Sequence, residues 1–359
     1  MTEIGTIFII EWRTVMQVYF APLESITGYV FRNVFEKYYG GIDRYFTPFI
    51  TATDSKRLRN KEMRDILPEN NQVGCLIPQI MSNRAEEFLR VAGQMADLGY
   101  DTVNLNLGCP ARTVVSKGKG SGFLARTVAL DRFLEEIYRE CPLKISIKTR
   151  LGVDDPEEFP EIIDIYNQYP VEELIIHPRV QKDYYKNTPN LDMFAEAVQR
   201  CNMPLCYNGD ICSLEDYDRI CARFPEVTRV MIGRGLLAHP ELALQIRERE
   251  AYGKEQTAPS SDEGAGNGPQ NMSGAGGMRN LSEKERLNRI GAYANALCKA
   301  YCEAYGPGQP VLFKMKELWD FLADSMPDGK KLRKKVHKVQ RLDGYQRLMR
   351  EVFPEIDPL

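Results

Sequence analysis

The chain has 359 residues, a formal net charge of −3 and 43% hydrophobic residues. This length suits one large domain plus a smaller one, and the small net charge means that any surface for a polyanionic partner must be local. The apolar stretch Ile7–Ile10 is too short for a signal peptide or a membrane span. The nine cysteines are scattered, which favours free thiols in a reducing compartment. We therefore expect a cytoplasmic protein that does not enter a membrane; the sequence leaves its oligomeric state open, and a monomer is compatible with it.

Eight short apolar runs, each followed by a helix-like segment, predict an α/β fold of the (β/α)8 TIM barrel type. Most runs are rich in Val, Ile and Leu without strict alternation, as expected of strands buried on both faces. An open doubly wound sheet is the alternative, but it would place a glycine-rich turn after the first strand, where this chain has Ala21-Pro22-Leu23-Glu24. The predicted strands are Gln17–Ala21, Tyr45–Ile50, Val73–Pro78, Thr102–Leu107, Leu143–Thr149, Glu173–His177, Pro204–Asn208 and Thr228–Ile232.

The composition divides the chain into four parts. Residues 1–15 precede the first strand and are predicted to be an extension, and residues 16–250 hold the eight strand–helix units of the barrel. Residues 251–280 are dense in Gly, Ser, Pro and Asn, which predicts a flexible linker or insert. Residues 281–359 show helical periodicity throughout and are predicted to form a C-terminal helical domain.

Polar residues end most of the predicted strands, and in a TIM barrel these ends meet at the mouth where reactive groups gather. Asn208-Gly209-Asp210 and Gly233-Arg234-Gly235 follow the last two strands, a position suited to phosphate, although the glycines could equally serve tight turns only. Lys148 projects from an otherwise apolar strand and needs an anionic partner, which is either a ligand or a structural carboxylate.

Cys109 leaves the fourth strand on a loop at the predicted mouth, where its thiol can face a ligand. Cys75, Cys141, Cys206 and Cys221 are better interpreted as small buried hydrophobic residues. The spacings of the remaining cysteines do not match a metal knuckle, and the three histidines do not form a cluster, so no metal site is expected.

At these positions the chain resembles the tRNA-dihydrouridine synthase family. The resemblance covers the barrel and extends weakly into the tail. Its motifs occur in order on successive strands: Ala21-Pro22-Leu23-Glu24, Asn106-Leu107-Gly108-Cys109-Pro110, Lys117-Gly118-Lys119-Gly120-Ser121-Gly122, Lys148-Thr149-Arg150, His177-Pro178-Arg179, Asn208-Gly209-Asp210-Ile211 and Met231-Ile232-Gly233-Arg234-Gly235. The resemblance implies an FMN enzyme that takes hydride from NADPH and reduces the C5=C6 bond of uridines in tRNA.

The resemblance also implies a role for each matching residue. Flavin N5 would deliver hydride to C6 of the uracil, Cys109 would donate a proton to C5, and Asn106 would help to hold the base. Lys148 would lie at the N1–C2 edge of the flavin, where its charge stabilises the anionic reduced ring. The other cofactor residues implied are Pro22, Leu23 and Glu24 beside the flavin, Gln79 and His177 at its ring, and Asn208, Gly209, Asp210, Gly233 and Arg234 at its phosphate.

A uridine must leave its stack to reach a barrel mouth, so the chain also needs a surface that grips RNA. The predicted helix Lys330–Lys338 is strongly basic, although basic helices are often only solvated faces. The loop 117–122 beside Cys109 is a second candidate. Lys117, Arg179, Lys334 and Lys335 are the predicted tRNA contacts.

The chain departs from the family at a few positions, of which Ser25 in place of the usual glycine and Pro178 after His177 lie nearest the predicted site. Two alternatives remain. One is an FMN barrel that reduces a free pyrimidine, as dihydroorotate dehydrogenases do, and the other is a tRNA-binding protein without turnover. The basic tail argues against the first, because a small substrate needs no such surface.

Overall fold

The structure is a computed structural model, and it describes residues 15–53, 55, 57–257 and 281–356. The predicted extension at 1–15 therefore lies almost wholly outside the described residues, as do residues 258–280 of the predicted linker. Within the described part of the chain, no helix is both long and apolar enough to cross a membrane.

Eight parallel strands close into a barrel, as the apolar runs predicted. Its strands are β1 Gln17–Phe20, β2 in the two segments Arg44–Phe46 and Ile50–Thr51, β3 in the two segments Leu76–Ile77 and Gln79–Met81, β4 Thr102–Leu107, β5 Lys144–Arg150, β6 Leu174–His177, β7 Leu205–Tyr207 and β8 Arg229–Ile232. Each strand pairs with the next, and β1 pairs with both β8 and β2. The sheet therefore has no free edge, and all eight carboxyl ends point to one mouth.

The second and third strands differ from the predicted ones. The strand β2 is interrupted between Phe46 and Ile50, where Pro48 cannot donate a ladder hydrogen bond. Pro78 interrupts β3 in the same way, and that strand begins three residues later than predicted and continues to Met81. Gln79, which was expected just beyond the end of this strand, therefore lies inside the barrel and is fully buried.

Fourteen helices are present in the described residues. They are α1 Tyr29–Tyr38, α2 Asn60–Ile66, α3 Ala85–Asp97, α4 Arg112–Val115, α5 Thr127–Glu140, α6 Phe159–Tyr166, α7 Leu191–Arg200, α8 Leu214–Arg223, α9 Arg234–Ala238, α10 Leu242–Thr257, α11 Glu283–Tyr305, α12 Gln309–Leu322, α13 Gly329–Lys338 and α14 Leu342–Val352. The helix α10 continues past the predicted domain boundary at residue 250, because Ala251, Lys254 and Glu255 are good helix formers.

The helices α11 and α12 pack against α1 and α9 on one side of the barrel, and α13 and α14 pack on α12. Tyr293 of α11 packs its ring against Phe35 and Tyr39 of α1, with ring centroids 6.3 and 5.3 Å apart. Arg286, also on α11, forms an ion pair of 2.6 Å with the buried carboxylate of Glu241. The helical part therefore shares buried contacts with the barrel wall beside the mouth.

Candidate active site

A cleft opens at the carboxyl ends of β1, β5, β6, β7 and β8. It is lined by nearly all the residues predicted to hold the cofactor, namely Pro22, Leu23, Lys148, His177, Asn208, Gly209, Asp210, Gly233 and Arg234. Glu24 and Gln79 are the predicted cofactor residues that do not line it. The topology thus brings together residues that are more than two hundred positions apart in the sequence.

Lys148 lies on the floor of this cleft. One side of the residue is open to the cleft, but the surrounding protein and the nearby Arg150 lower the pKa of its ammonium group to about 7. In the part of the chain that the structure describes, no carboxylate forms an ion pair with it. The alternative of a structural ion pair is therefore not seen, and the cleft carries a lysine suited to an anionic or strongly polar ligand.

His177 is buried at the wall of the cleft and is neutral. Burial and the positive charges of Arg150, Lys148, Arg179 and Arg234 hold the pKa of its imidazole well below the usual range. Arg179 Nη1 lies 3.0 Å from His177 Nε2, so this ring nitrogen accepts the hydrogen bond from the guanidinium. The ring is thereby fixed in one orientation.

Arg179 was predicted to contact tRNA, and the structure does not support this role. Its side chain is 1% exposed, and its guanidinium is fully engaged by Asp210, His177 and the carbonyl group of Asn187. Arg234 binds the same Asp210 carboxylate at 2.7 Å from the solvent side. The two arginines lower the pKa of Asp210 despite its partial burial. Arg179 thus supports the cleft from below, and Asp210 orients two guanidinium groups instead of presenting a free carboxylate.

The backbone turns after β7 and β8 approach each other closely. A Cβ at Gly235 would lie 2.0 Å from the carbonyl oxygen of Ile211, so only glycine fits there. Asn208 Nδ2 donates to the carbonyl oxygen of Met231 at 2.7 Å and ties the two turns together. A Cβ at Gly233 would point toward Ala21 and Leu23. Packing thus accounts for Gly235, while Gly233 keeps the cleft open beside the first strand.

Three separate groups hold the loop that carries Cys109. Asn106 Oδ1 accepts hydrogen bonds from the backbone N–H groups of Gly108 at 3.1 Å and Cys109 at 2.6 Å. Arg150 Nε donates to the carbonyl oxygen of Gly108 at 2.8 Å. Ser121 donates to the carbonyl oxygen of Cys109 from both its backbone N–H and its hydroxyl, at 3.0 and 2.9 Å. The backbone of Cys109 thus has a fixed place beside the mouth.

The environment of Cys109 keeps its thiol protonated. Burial raises its pKa, and Glu24 acts in the same direction, while a hydrogen bond from the backbone of Ala111 and the charges of Arg150 and Lys148 act against them. A thiol whose pKa is raised above its ordinary value is protonated at neutral pH and can donate a proton. No side chain in the described residues accepts a hydrogen bond from this thiol, so the geometry supports an acid more than a nucleophile.

Asn106 and Gln79 belong to a buried polar network inside the barrel. Asn106 Nδ2 donates to Gln79 Oε1 at 2.7 Å, Gln79 Nε2 donates to Asn104 Oδ1 at 2.8 Å, and Asn104 Nδ2 donates to Ser146 Oγ at 2.9 Å. The expected direct roles of Gln79 at the flavin and Asn106 at the base are not seen here. In this structure both side chains are committed to the protein, and Asn106 acts by positioning the Cys109 loop.

The remaining predicted residues lie on the surface. Glu24 is exposed at the rim and forms a 3.3 Å ion pair with Lys61, so it does not reach the cleft. Lys117 is exposed on the loop that covers Cys109. Gly120 of this loop has a φ of 56°, and a Cβ there would lie 2.5 Å from the carbonyl oxygen of Cys109. Lys334 and Lys335 are exposed on α13.

Tyr185 is a site residue that the sequence interpretation missed. It follows β6 on an irregular loop and forms the outer wall of the cleft, with 48% of its surface exposed. The guanidinium of Arg234 lies 4.7 Å from its ring centroid and that of Arg150 lies 5.4 Å away. The adjacent tyrosines at 184 and 185 were the available signal, but the path of an irregular loop cannot be derived from residue pattern.

Comparisons with known proteins identify the family of the chain. The family model described as "Dihydrouridine synthase (Dus)" matches residues 19–300. The tRNA-dihydrouridine(16) synthase of Cupriavidus necator is 29% identical over 238 residues, which cover 64% of this chain and 73% of that protein. The probable tRNA-dihydrouridine synthase 2 of Bacillus subtilis is 28% identical over 253 residues, which cover 68% of this chain and 76% of that protein.

Solved structures with a similar course of the chain include a morphinone reductase variant in complex with tetrahydroNAD, with a TM-score of 0.48, 12% identity, and 65% of this chain and 87% of the other covered. An N-(5'-phosphoribosyl)anthranilate isomerase from Pyrococcus furiosus gives a TM-score of 0.39 at 13% identity, covering 66% and 99%. The family is established by the match of residues 19–300, which spans most of the chain and includes the second half of β1, the other seven strands of the barrel and both sides of the cleft. The resemblance inferred from the motifs is thereby confirmed, and the chain belongs to the dihydrouridine synthase family.

Proposed function

We propose that this chain is a cytoplasmic tRNA-dihydrouridine synthase that holds FMN in the cleft, uses NADPH as reductant and protonates the uracil from Cys109. The observation that carries this proposal is a protonated thiol on a loop whose backbone is held by three groups, beside a cleft with a lysine that has no carboxylate partner in the described residues, in a member of this family. The relatives named above are described as tRNA-dihydrouridine synthases, which supports tRNA as the substrate.

The residues of the cleft fit a flavin mononucleotide. Lys148 offers a cation without a carboxylate partner in the described residues, and neutral His177 offers a polar wall. The turns at Gly209 and Gly233, with Arg234, provide N–H groups and a guanidinium suited to a phosphate. A bound flavin would supply the hydride for C6 of the uracil, and the protein supplies position, charge and the proton.

Cys109 provides that proton for C5. Its raised pKa keeps the thiol neutral until it acts, and the thiolate then left is next to Arg150 and Lys148, whose charges favour it. Tyr185 presents an exposed ring at the outer wall, which gives a flipped base a surface on which to stack. Lys117, Lys334 and Lys335 are exposed cations that can meet the RNA backbone.

The proposal is tested by incubating the purified protein with FMN, NADPH and tRNA transcribed without modification. Dihydrouridine should appear as a mass increase of about 2 Da on particular nucleotides, in line with reduction of one double bond. Free uracil and orotate are offered in parallel. Turnover of those small molecules without any on tRNA would favour the free-pyrimidine enzyme, and protein that takes up no flavin would favour the binding protein without turnover.

Asn106→Ala is expected to lower the rate of dihydrouridine formation roughly tenfold or more, because two backbone N–H groups of the Cys109 loop lose their acceptor at about 1–3 kcal/mol of desolvation cost. The affinity for tRNA should not change. Single-turnover kinetics and filter binding measure the two quantities. An equal loss of both would mean that Asn106 holds substrate directly.

Lys334→Ala and Lys335→Ala are each expected to weaken tRNA binding and to reduce the slope of log K against log salt by about 1, if each lysine contacts one phosphate. Lys144→Ala is the matched control, since Lys144 is exposed at the opposite end of the barrel and pairs with Glu172 at 3.5 Å. If the slope of log K against log salt is the same in both α13 variants as in the wild type, helix α13 does not contact the RNA.

A further inference from the structure

The loop that follows β1 carries Pro22 and Leu23 into the cleft and then makes a tight turn. The backbone N–H groups of Ile26 and Thr27 both donate to the carbonyl oxygen of Leu23 at 3.1 Å, and Thr27 Oγ1 accepts from the N–H of Leu23 at 2.9 Å. Ser25 is in the middle of this turn with a φ of 66°, in the left-handed region that favours glycine. Such a conformation persists in a serine only when neighbouring groups impose it.

Helix α12 provides those groups. Ser25 Oγ donates to Glu317 Oε1 at 2.5 Å, and Lys314 Nζ donates to the carbonyl oxygen of Ser25 at 2.9 Å. Both side chains are on one helix, three residues apart, and both act on the same residue of the barrel loop. The C-terminal helical part therefore contacts the cleft-lining loop by two polar bonds.

Lys314 is itself held in place. Its ammonium group lies 5.0 Å from the ring centroid of Tyr301 and 5.7 Å from that of Tyr305. Burial lowers the pKa of this lysine, with nearby Lys61 acting in the same direction and Glu317, Asp65 and Glu24 against it. A partly buried cation between two aromatic rings has little freedom, so its bond to Ser25 is a fixed support.

We infer that Lys314 and Glu317 are positioning residues for the cofactor. Through Ser25 they fix the turn that presents Pro22 and Leu23 to the cleft, so that helix α12 helps to shape the flavin site without touching it. The hydroxyl of Ser25 makes the contact with Glu317 possible, whereas a glycine in this left-handed conformation would have no side chain to form it. Because this role rests on the flavin site proposed above, its test measures flavin affinity directly.

The experiment compares FMN dissociation constants, measured by flavin fluorescence on the full chain. Ser25→Ala and Glu317→Ala should each raise the dissociation constant about three- to tenfold, the usual range for a lost hydrogen bond. The dissociation constant of the double variant should be no higher than that of either single variant, since both substitutions remove the same contact. Glu317→Gln keeps an acceptor oxygen and should bind FMN nearly as well as the wild type.

Arg286→Ala is the matched control, because it removes a different contact between the helical part and the barrel, the ion pair with Glu241. It should lower the midpoint of thermal unfolding without changing FMN affinity. Equal FMN affinity in the wild type, Ser25→Ala and Glu317→Ala would overturn the positioning role while leaving the flavin site intact. The positioning role would also be overturned if Arg286→Ala raised the FMN dissociation constant as much as Ser25→Ala and Glu317→Ala do. The effect would then reflect a general destabilisation of the contact between the helical part and the barrel. A wild-type protein that binds no FMN would overturn the proposed function itself.

Discussion

Replacing Cys109 with alanine is expected to slow dihydrouridine formation by at least about 100-fold, the usual contribution of a positioned general acid. FMN and tRNA should remain bound, because the loop is held through its backbone. Asn106, Arg150 and Ser121 all bind backbone atoms of Gly108 and Cys109, so the side chain can change without releasing the loop. The loss should therefore fall on the chemical step, as seen in single-turnover kinetics.

The pH dependence follows from the raised pKa of the thiol. A proton donor is active while protonated, so the rate should stay constant as pH rises through neutrality and decline only at alkaline pH, above the range in which an ordinary cysteine thiol ionises. The residual rate of Cys109→Ala should lack this decline. A rate that rose with pH near neutrality would instead indicate that the thiolate is the active form and that Cys109 acts as a nucleophile.

Cys141→Ala serves as the control for Cys109→Ala. Cys141 is likewise a half-buried free thiol with a pKa raised by burial, but it lies between α5 and the start of β5, at the end of the barrel opposite the mouth. The variant Cys141→Ala should leave the rate of dihydrouridine formation unchanged. A Cys109→Ala enzyme that turned over as fast as this control would exclude the thiol as the proton donor.

The barrel could be predicted from the sequence because each strand is a short apolar run, and buried parallel strands need no other signal. Seven of the eight strands were predicted to within one residue at each outer end. The interruption of the second strand and the position of the third were not predicted, because Pro48 and Pro78 lie inside them and a ladder can continue around a residue that lacks an N–H. The apolar run that begins at Val73 predicted the third strand in the right region, but the observed strand begins and ends three residues later.

The sequence predicted which residues gather at the cleft, but it could not predict the hydrogen-bond or ion-pair partner of each side chain. Barrel geometry alone brings strand ends together, so Lys148, His177 and the two glycine turns were expected at one place. The partners of Arg179 could not be predicted, because a pattern cannot show whether a guanidinium points outward or toward a carboxylate of a neighbouring loop such as Asp210. Gln79 and Asn106 were assigned to ligands for the same reason, since their hydrogen-bond partners come from neighbouring strands and depend on side-chain rotamers.

Lys148→Met is expected to make the ligand-free protein more stable and, at the same time, a poorer binder of FMN. The folded protein lowers the pKa of Lys148 from 10.5 to about 7, so the charged form of this lysine is less stable in the folded protein than in the unfolded chain. Replacing such a lysine with an apolar side chain of similar length should raise the free energy of unfolding by roughly 1–4 kcal/mol. FMN affinity should fall at least about tenfold, because a charge-assisted hydrogen bond is lost.

The pH dependence of this stabilisation has a definite sign. Between pH 7 and 10.5 the unfolded chain binds one more proton at this lysine than the folded protein does, so the stability of the wild type rises with pH. The advantage of Lys148→Met should therefore be largest below pH 7 and disappear toward pH 10.5. Urea unfolding of the ligand-free wild type and of Lys148→Met across this pH range measures the difference in their free energies of unfolding. Lys144→Met is the control, because Lys144 is on the same strand but exposed, and its free energy of unfolding should not differ from that of the wild type in this way. A Lys148→Met protein that is less stable than wild type, or that binds FMN equally well, would mean that this lysine supports the fold and not the ligand.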